Sequence, residues 1–202
     1  MFFDISWRDD ALYQNNKAAV VVVTSAYIAL TLIYAGANAG DGPGWWCVIF
    51  AGGLGLITWL ILSWVFNAVA KVFERITVGR DTACAIRFSL YLVAAGIILG
   101  KACSGDWTSF GRTVVEFADG WPVLPLTAAA ILIELFFKYR EKTAEVYQGY
   151  AERTDKTGIA ISAFFGLLYV AAAIACVVLM PAFIAGLQGG AAATNEFPGG
   201  VL

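Results

Sequence analysis

The sequence predicts an all-α integral membrane protein of five transmembrane helices, built from two complete two-helix hairpin repeats plus one unpaired helix. Three observations predict it. Hydrophobic residues fill 60% of the 202 positions and charged residues only 14%, with a mean hydropathy of +0.74, whereas a soluble domain carries roughly a quarter charged residues. Five apolar stretches are each long enough for the hydrocarbon layer, which takes about 20 residues of helix. Finally, one local plan recurs: Asn16, Asp81 and Asp155 each stand at the entrance to a run rich in small residues, in NNKAAVVVVTSAYIALTLIYAGANAG, DTACAIRFSLYLVAAGIILGK and DKTGIAISAFFGLLYVAAAIACVV.

Residues 1–17 read as a cytoplasmic or interfacial arm in which Phe2, Phe3 and Trp7 can lie at the lipid boundary. The arm carries Asp4, Asp9 and Asp10 against Arg8 and Lys17. That charge, and the length of the apolar run behind it, do not fit a cleaved signal peptide, which has a basic leader and a core of about 7 to 15 residues. Span one covers about 18–39 and is ended by the glycines and Pro43 of GANAGDGPG. Span two, about 45–70, opens on Trp45 and Trp46, a pair suited to headgroup depth, and is long enough to tilt or to project into water. A basic segment, Lys71 to Arg80, leads to span three at about 81–102. The next loop holds a short interfacial helix around Arg112 to Ala118. Span four, about 121–137, begins at WPVLPL, whose prolines fall in a first turn that tolerates them. KYREKTAEVYQGYAER has good helix formers and no proline, so it continues span four into water as an extension over 138–156. Span five covers about 157–180, with Pro181 ending or kinking it. The membrane domain thus runs over 18–187, and 188–202 form a polar, Gly-rich tail.

Ten of the thirteen Lys and Arg residues lie in the leader, in 71–80 and in 138–156; Lys101 and Arg112 fall on the other side, and Arg87 lies inside span three. The positive-inside rule then places the N-terminus in the cytoplasm and the C-terminus outside. Units one and two, about 16–80 and 81–154, each cross outward on a helix of small residues and return on a bulkier one. The third unit has only its outward helix. Capping accounts for all three entrance residues, since Asn and Asp accept from free N–H groups and an acid suits the positive end of a helix dipole.

The segment DTACAI before a glycine-containing apolar helix, and its echo DKTGIAISAFFGLL, resemble the repeated signature of the YjfL-like bacterial inner-membrane proteins, the domain-of-unknown-function family numbered 350. The resemblance covers roughly residues 60–180. It implies a bacterial inner-membrane (plasma-membrane) protein, linked to envelope-stress proteins that bind the membrane surface, and it brings no catalytic residues. Family members have four spans in two complete units, whereas this chain has five and an unpaired last helix.

The chain has no histidine, which removes the commonest metal ligand and the usual neutral-pH base. No cofactor and no metal are expected, and 13 scattered basic residues do not make a nucleic-acid surface. The glycine clusters AGGLG and QGGAAA follow no predicted strand, which excludes a nucleotide-binding loop. Cys47, Cys84, Cys103 and Cys176 are spaced as single buried residues, though Cys47 and Cys103 both fall near the outer surface, where a disulfide is conceivable. Glu134 is the only acid well inside a span. Intramembrane acids often mark ion or proton paths, but Lys138 follows four residues on, in the order that pairs well along one helix. Arg87, at similar depth on the preceding antiparallel span, offers a second partner, and an Arg87 to Glu134 pair is the sharpest structural expectation. In span two, Ser63 and Asn67 share a face with Trp59, and Thr58 adds a further polar group; they can line a wet path or bond helix to helix. Gly36 and Gly40, Ala51 and Gly55, Gly96 and Gly100, and Gly186 and Gly190 are spaced for close helix packing. Tyr139, Tyr147 and Tyr150 make the 138–156 extension the expected contact surface for partners.

These readings favour a non-enzymatic scaffold or structural subunit of a membrane complex, contacting lipids, other membrane subunits or copies of itself. The alternative is a small ion channel or transporter with a path near Asn67, Arg87 and Glu134.

Overall fold

Five helical stretches are long and apolar enough to cross a membrane: Lys17–Ala37, Trp45–Ala70, Thr82–Ala102, Phe110–Arg140 and Gly158–Leu179. The computed structural model describes residues 13–148 and 156–193, and side-chain surroundings over 13–140 and 158–179. The helices are α1 (Lys17–Ala37), α2 (Trp45–Ala70), α3 (Val72–Thr77), α4 (Thr82–Ala102), α5 (Phe110–Phe117), α6 (Val123–Gln148) and α7 (Lys156–Ala193). No strand occurs among the described residues.

α4 is the axis around which the others pack. Thirteen of its 21 residues are buried, including Phe88, Tyr91, Leu92 and Leu99, and its most extensive interfaces are with α1 and α7. The small residues explain the α1 interface. A Cβ built on Gly36 would lie 1.9 Å from the Gly100 carbonyl oxygen, one on Gly100 2.6 Å from the Leu32 oxygen, and one on Gly96 2.9 Å from Ala29. The two backbones touch, so these three glycines cannot carry side chains without pushing the helices apart. On the other side of α4, Gly166 of α7 is filled by Leu90. Contacts advance together along α1, α4 and α7, which therefore run parallel. Against them, α2 and α6 are antiparallel to α4: Trp59 Nε1 donates to the Leu92 carbonyl (3.2 Å), and Tyr91 and Thr127 share a hydroxyl bond of 3.0 Å. Such bonds satisfy polar groups in hydrocarbon.

Several sequence expectations need correction. The segment 71–80 is not only a basic connection, because Val72, Phe73 and Ile76 form the buried face of α3. Lys71 makes this possible: its left-handed backbone (φ 57°) breaks α2 and turns the chain. Gly40 is not a helix-packing residue. It lies beyond α1 in a loop, at φ +133°, against the backbone of Gly105. Pro181 does not end the last helix, which continues to Ala193 and takes in the first residues of the expected tail; losing one N–H is tolerable in a long helix of otherwise favourable residues. Gly186 and Gly190 lie in these last turns, where side-chain surroundings are not described. Helix α6 continues past the apolar part to Gln148, and Asp155 and Tyr150 lie outside the described residues. The short helix expected around Arg112 to Ala118 is α5, capped by Ser109, whose hydroxyl accepts from Arg112 N–H.

Candidate functional site

Helices α1 and α4 begin with the same local geometry. A residue in the left-handed region, Asn15 (φ 50°) or Arg80 (φ 51°), precedes an extended cap, Asn16 or Asp81. The Asn16 side chain accepts from Ala18 and Ala19 N–H and donates to the Ile76 carbonyl at 2.8 Å, tying the start of α1 to α3. Asp81 Oδ1 accepts from Cys84 N–H at 2.9 Å. Its other oxygen takes a hydrogen bond from Arg75.

Arg75 then leads inward. Its Nη1 donates to Glu134 Oε1 at 2.6 Å. Arg87 grips the same carboxylate from the other side, with Nη2 on Oε1 at 2.8 Å and Nε on Oε2 at 2.7 Å. Arg87 Nη1 donates to Ser162 Oγ on α7 at 2.6 Å, and the Ser162 hydroxyl donates in turn to the Gly158 carbonyl at 2.7 Å. The Arg87 guanidinium lies 4.3 Å from the centre of the Phe137 ring, a cation–π contact. Asp81–Arg75–Glu134–Arg87–Ser162 is thus one chain of hydrogen bonds from a half-exposed helix cap to a sealed interior. The side chains of Glu134 and Arg87 are only 1% and 3% exposed.

Two guanidinium groups face two carboxylates, so the cluster is neutral overall. That balance is what low-dielectric surroundings require, since an unmatched buried charge costs several kcal/mol. The pattern also fixes register. It joins α3, α4, α6 and α7 at one point, and sliding any one by a turn, about 5.4 Å, would break it.

The structure therefore brings Arg87 and Glu134 together, and it adds Arg75 and Ser162, which the sequence reading did not single out. The apolar spacing of Val72, Phe73 and Ile76 was the available signal that Arg75 sits on a docked helix rather than in a loop. Lys138 is not the partner of Glu134; its amine reaches the Ala70 carbonyl at 3.5 Å. Asn67 does not join this network; its side-chain oxygen accepts from Phe73 N–H at 2.9 Å and caps α3. Ser63 is buried without a hydrogen-bond partner. Cys47 and Cys103 are free thiols. The Cys103 thiol donates instead to the Ala51 carbonyl at 3.1 Å, and burial pushes it up to about 11. Tyr139 is 75% exposed on α6, and the side chain of Tyr147 is not described.

Away from the network, the 38–44 and 103–109 loops are clamped together. Gly105 N–H donates to the Ala39 carbonyl, Trp107 N–H to the Asp41 carbonyl, and Asp41 N–H to Asp106 Oδ1 at 2.8 Å. Trp46, Phe50, Trp107 and Phe110 pack ring against ring beside this clamp, joining α2 to α5. Among the described residues, no group of three or more Cys, Asp or Glu is placed to hold a metal ion. No family model, curated protein or solved structure matches the chain.

Proposed function

We propose that the chain is a non-enzymatic scaffold or structural subunit of a membrane protein complex, with lipids and other membrane subunits, or further copies of itself, as its partners. The observation that carries this reading is the closed charge network. Every charged group in it is matched to another group of the same chain, so the ionisable residues in the membrane serve to lock helices in place. The resemblance to YjfL-like proteins supports a bacterial inner-membrane location. The matching left-handed-plus-cap geometry at Asn16 and Asp81 supports an internal repeat, in which α7 is the outward helix of a unit with no returning partner. On the positive-inside reading, the network lies at the cytoplasmic end and the 38–44 and 103–109 loops lie outside.

Partners are expected on the outward face of α7, where Phe164, Leu167, Leu168 and Ile174 are exposed, and around Tyr139 on the α6 extension. Replacing Tyr139, Tyr147 and Tyr150 together by Ser tests this. Loss of a co-purifying chain with unchanged thermal stability supports the scaffold, and an unchanged set of co-purifying chains counts against this surface.

A channel or transporter is the second reading, favoured by one observation: the network leads from the half-exposed Asp81 to the buried Arg87 and Ser162. Ion flux in liposomes that disappears in Glu134→Gln, while the folded protein remains, would select it.

A further inference from the structure

A cavity of about 230 Å³ opens at the end of the bundle opposite the charge network. Residues of the clamped 38–44 and 103–109 loops line it, so the hydrogen bonds of the clamp help set its shape. Trp45 and Trp107 stand in its wall, and its charged lining residues are all acids: Asp41, Asp106 and Glu116. Neither Lys nor Arg lines it. Asp106 has one oxygen engaged by Asp41 N–H, and Glu116 has one engaged by Arg112 Nε at 2.7 Å. Among the described residues, no protein group donates to the other oxygen of Asp106 or Glu116, or to the Asp41 carboxylate. The thiol of Cys47 also lines it, 6% exposed and without a hydrogen-bond partner.

These features select a class of ligand. The acids do not converge tightly enough for a metal ion, and the space is larger than a bare ion needs. It is also smaller than the roughly 300–1,000 Å³ of pockets for drug-sized molecules. Carboxylates beside indole rings suit an organic cation, which gains both charge pairing and cation–π attraction. The setting suits it too, because tryptophans gather at headgroup depth.

We propose that this cavity binds an alkylammonium group, either the amine of a lipid headgroup or a free aminoalkyl compound. Cys47 reports on it directly. Modification of Cys47 by a cationic and an anionic methanethiosulfonate of similar size, read by peptide mass mapping on the intact protein, measures the sign of the potential inside the cavity. Relative to a free thiol, the cationic reagent is expected to react about tenfold faster than the anionic one, a preference of the size that charged clefts produce. Asp106→Asn with Glu116→Gln should return the ratio toward that of the free thiol. Both substitutions keep an acceptor for the Asp41 N–H and for Arg112, so the clamp is retained.

Protection then separates the sources. Slowing of Cys47 modification by ethanolamine in detergent would identify a free amine as sufficient. Slowing only in nanodiscs of phosphatidylethanolamine, and not of phosphatidylglycerol, would identify the headgroup. A charge ratio equal to that of the free thiol, or protection by neither, would overturn the proposal.

Discussion

Glu134→Gln keeps the shape of the side chain and removes one negative charge from between two guanidinium groups. In the native protein its two oxygens receive three hydrogen bonds, two from Arg87 and one from Arg75. In the variant one oxygen becomes an NH₂ that must face an arginine N–H, and the positive charges of Arg87 and Arg75 lose their shared counter-charge. Breaking a buried ion pair by removing one partner costs about 3–5 kcal/mol. Thermal unfolding in a mild detergent should register this as a drop of about 6–20 °C, taking about 2–4 °C per kcal/mol for a chain of this size. Arg75→Gln is the internal comparison. It leaves Glu134 in the grip of Arg87, and its own side chain is 15% exposed, so a loss of only about 1–2 kcal/mol is expected. The double variant Arg87→Gln with Glu134→Gln should be less unstable than the sum of the singles, with a coupling of about 1 kcal/mol or more. A Glu134→Gln protein within about 0.5 kcal/mol of wild type, the size of an ordinary surface change, would refute the network.

Other outcomes follow from the same geometry. Gly36→Ala should destabilise by about 1–3 kcal/mol through overpacking, because its Cβ would meet the α4 backbone; Gly53→Ala, with nothing within 4 Å, should be neutral or stabilising by up to about 1 kcal/mol. The two melting temperatures moving in parallel would count against a close α1–α4 contact. The Cys103 thiol, pushed up to about 11 from an ordinary 9.0, should react with maleimide at pH 8 about 100-fold more slowly than an unfolded control, in proportion to its thiolate fraction. Because the folded form holds its proton more tightly, the stability from this site is complete below about pH 9 and is lost as pH rises through about 11. Chemical denaturation across pH 8 to 11 would show whether that loss disappears in Cys103→Ala. Thr127→Val, which removes the Tyr91 partner in the membrane interior, should cost only about 0.6 kcal/mol, measurable by the same melts.

The spans were legible because a membrane helix needs only length and apolar character, and the runs at 17–37, 45–70 and 82–102 supply both. The meeting of Arg87 and Glu134 could be read from two opposite charges at similar depth on consecutive antiparallel helices. Arg75 could not be read the same way. Its position depends on the left-handed turn at Lys71, a residue that carries no glycine-like signal for φ > 0. Gly40 was misread for a related reason: it follows Gly36 at helical spacing, but α1 stops at Ala37 and Gly40 belongs to the loop clamp. The distal cavity was invisible in sequence, because it is built where two loops about 65 residues apart are joined by hydrogen bonds, among them Asp41 N–H to the Asp106 carboxylate.

The scaffold reading stands most directly on the composition of the particle that contains the chain. Gentle extraction from native membranes, followed by native mass measurement with each chain identified, answers it. Several different chains in fixed ratio with this one are the predicted result. A particle holding only this chain, whose reconstituted form passes ions in a manner that depends on Glu134, would contradict it.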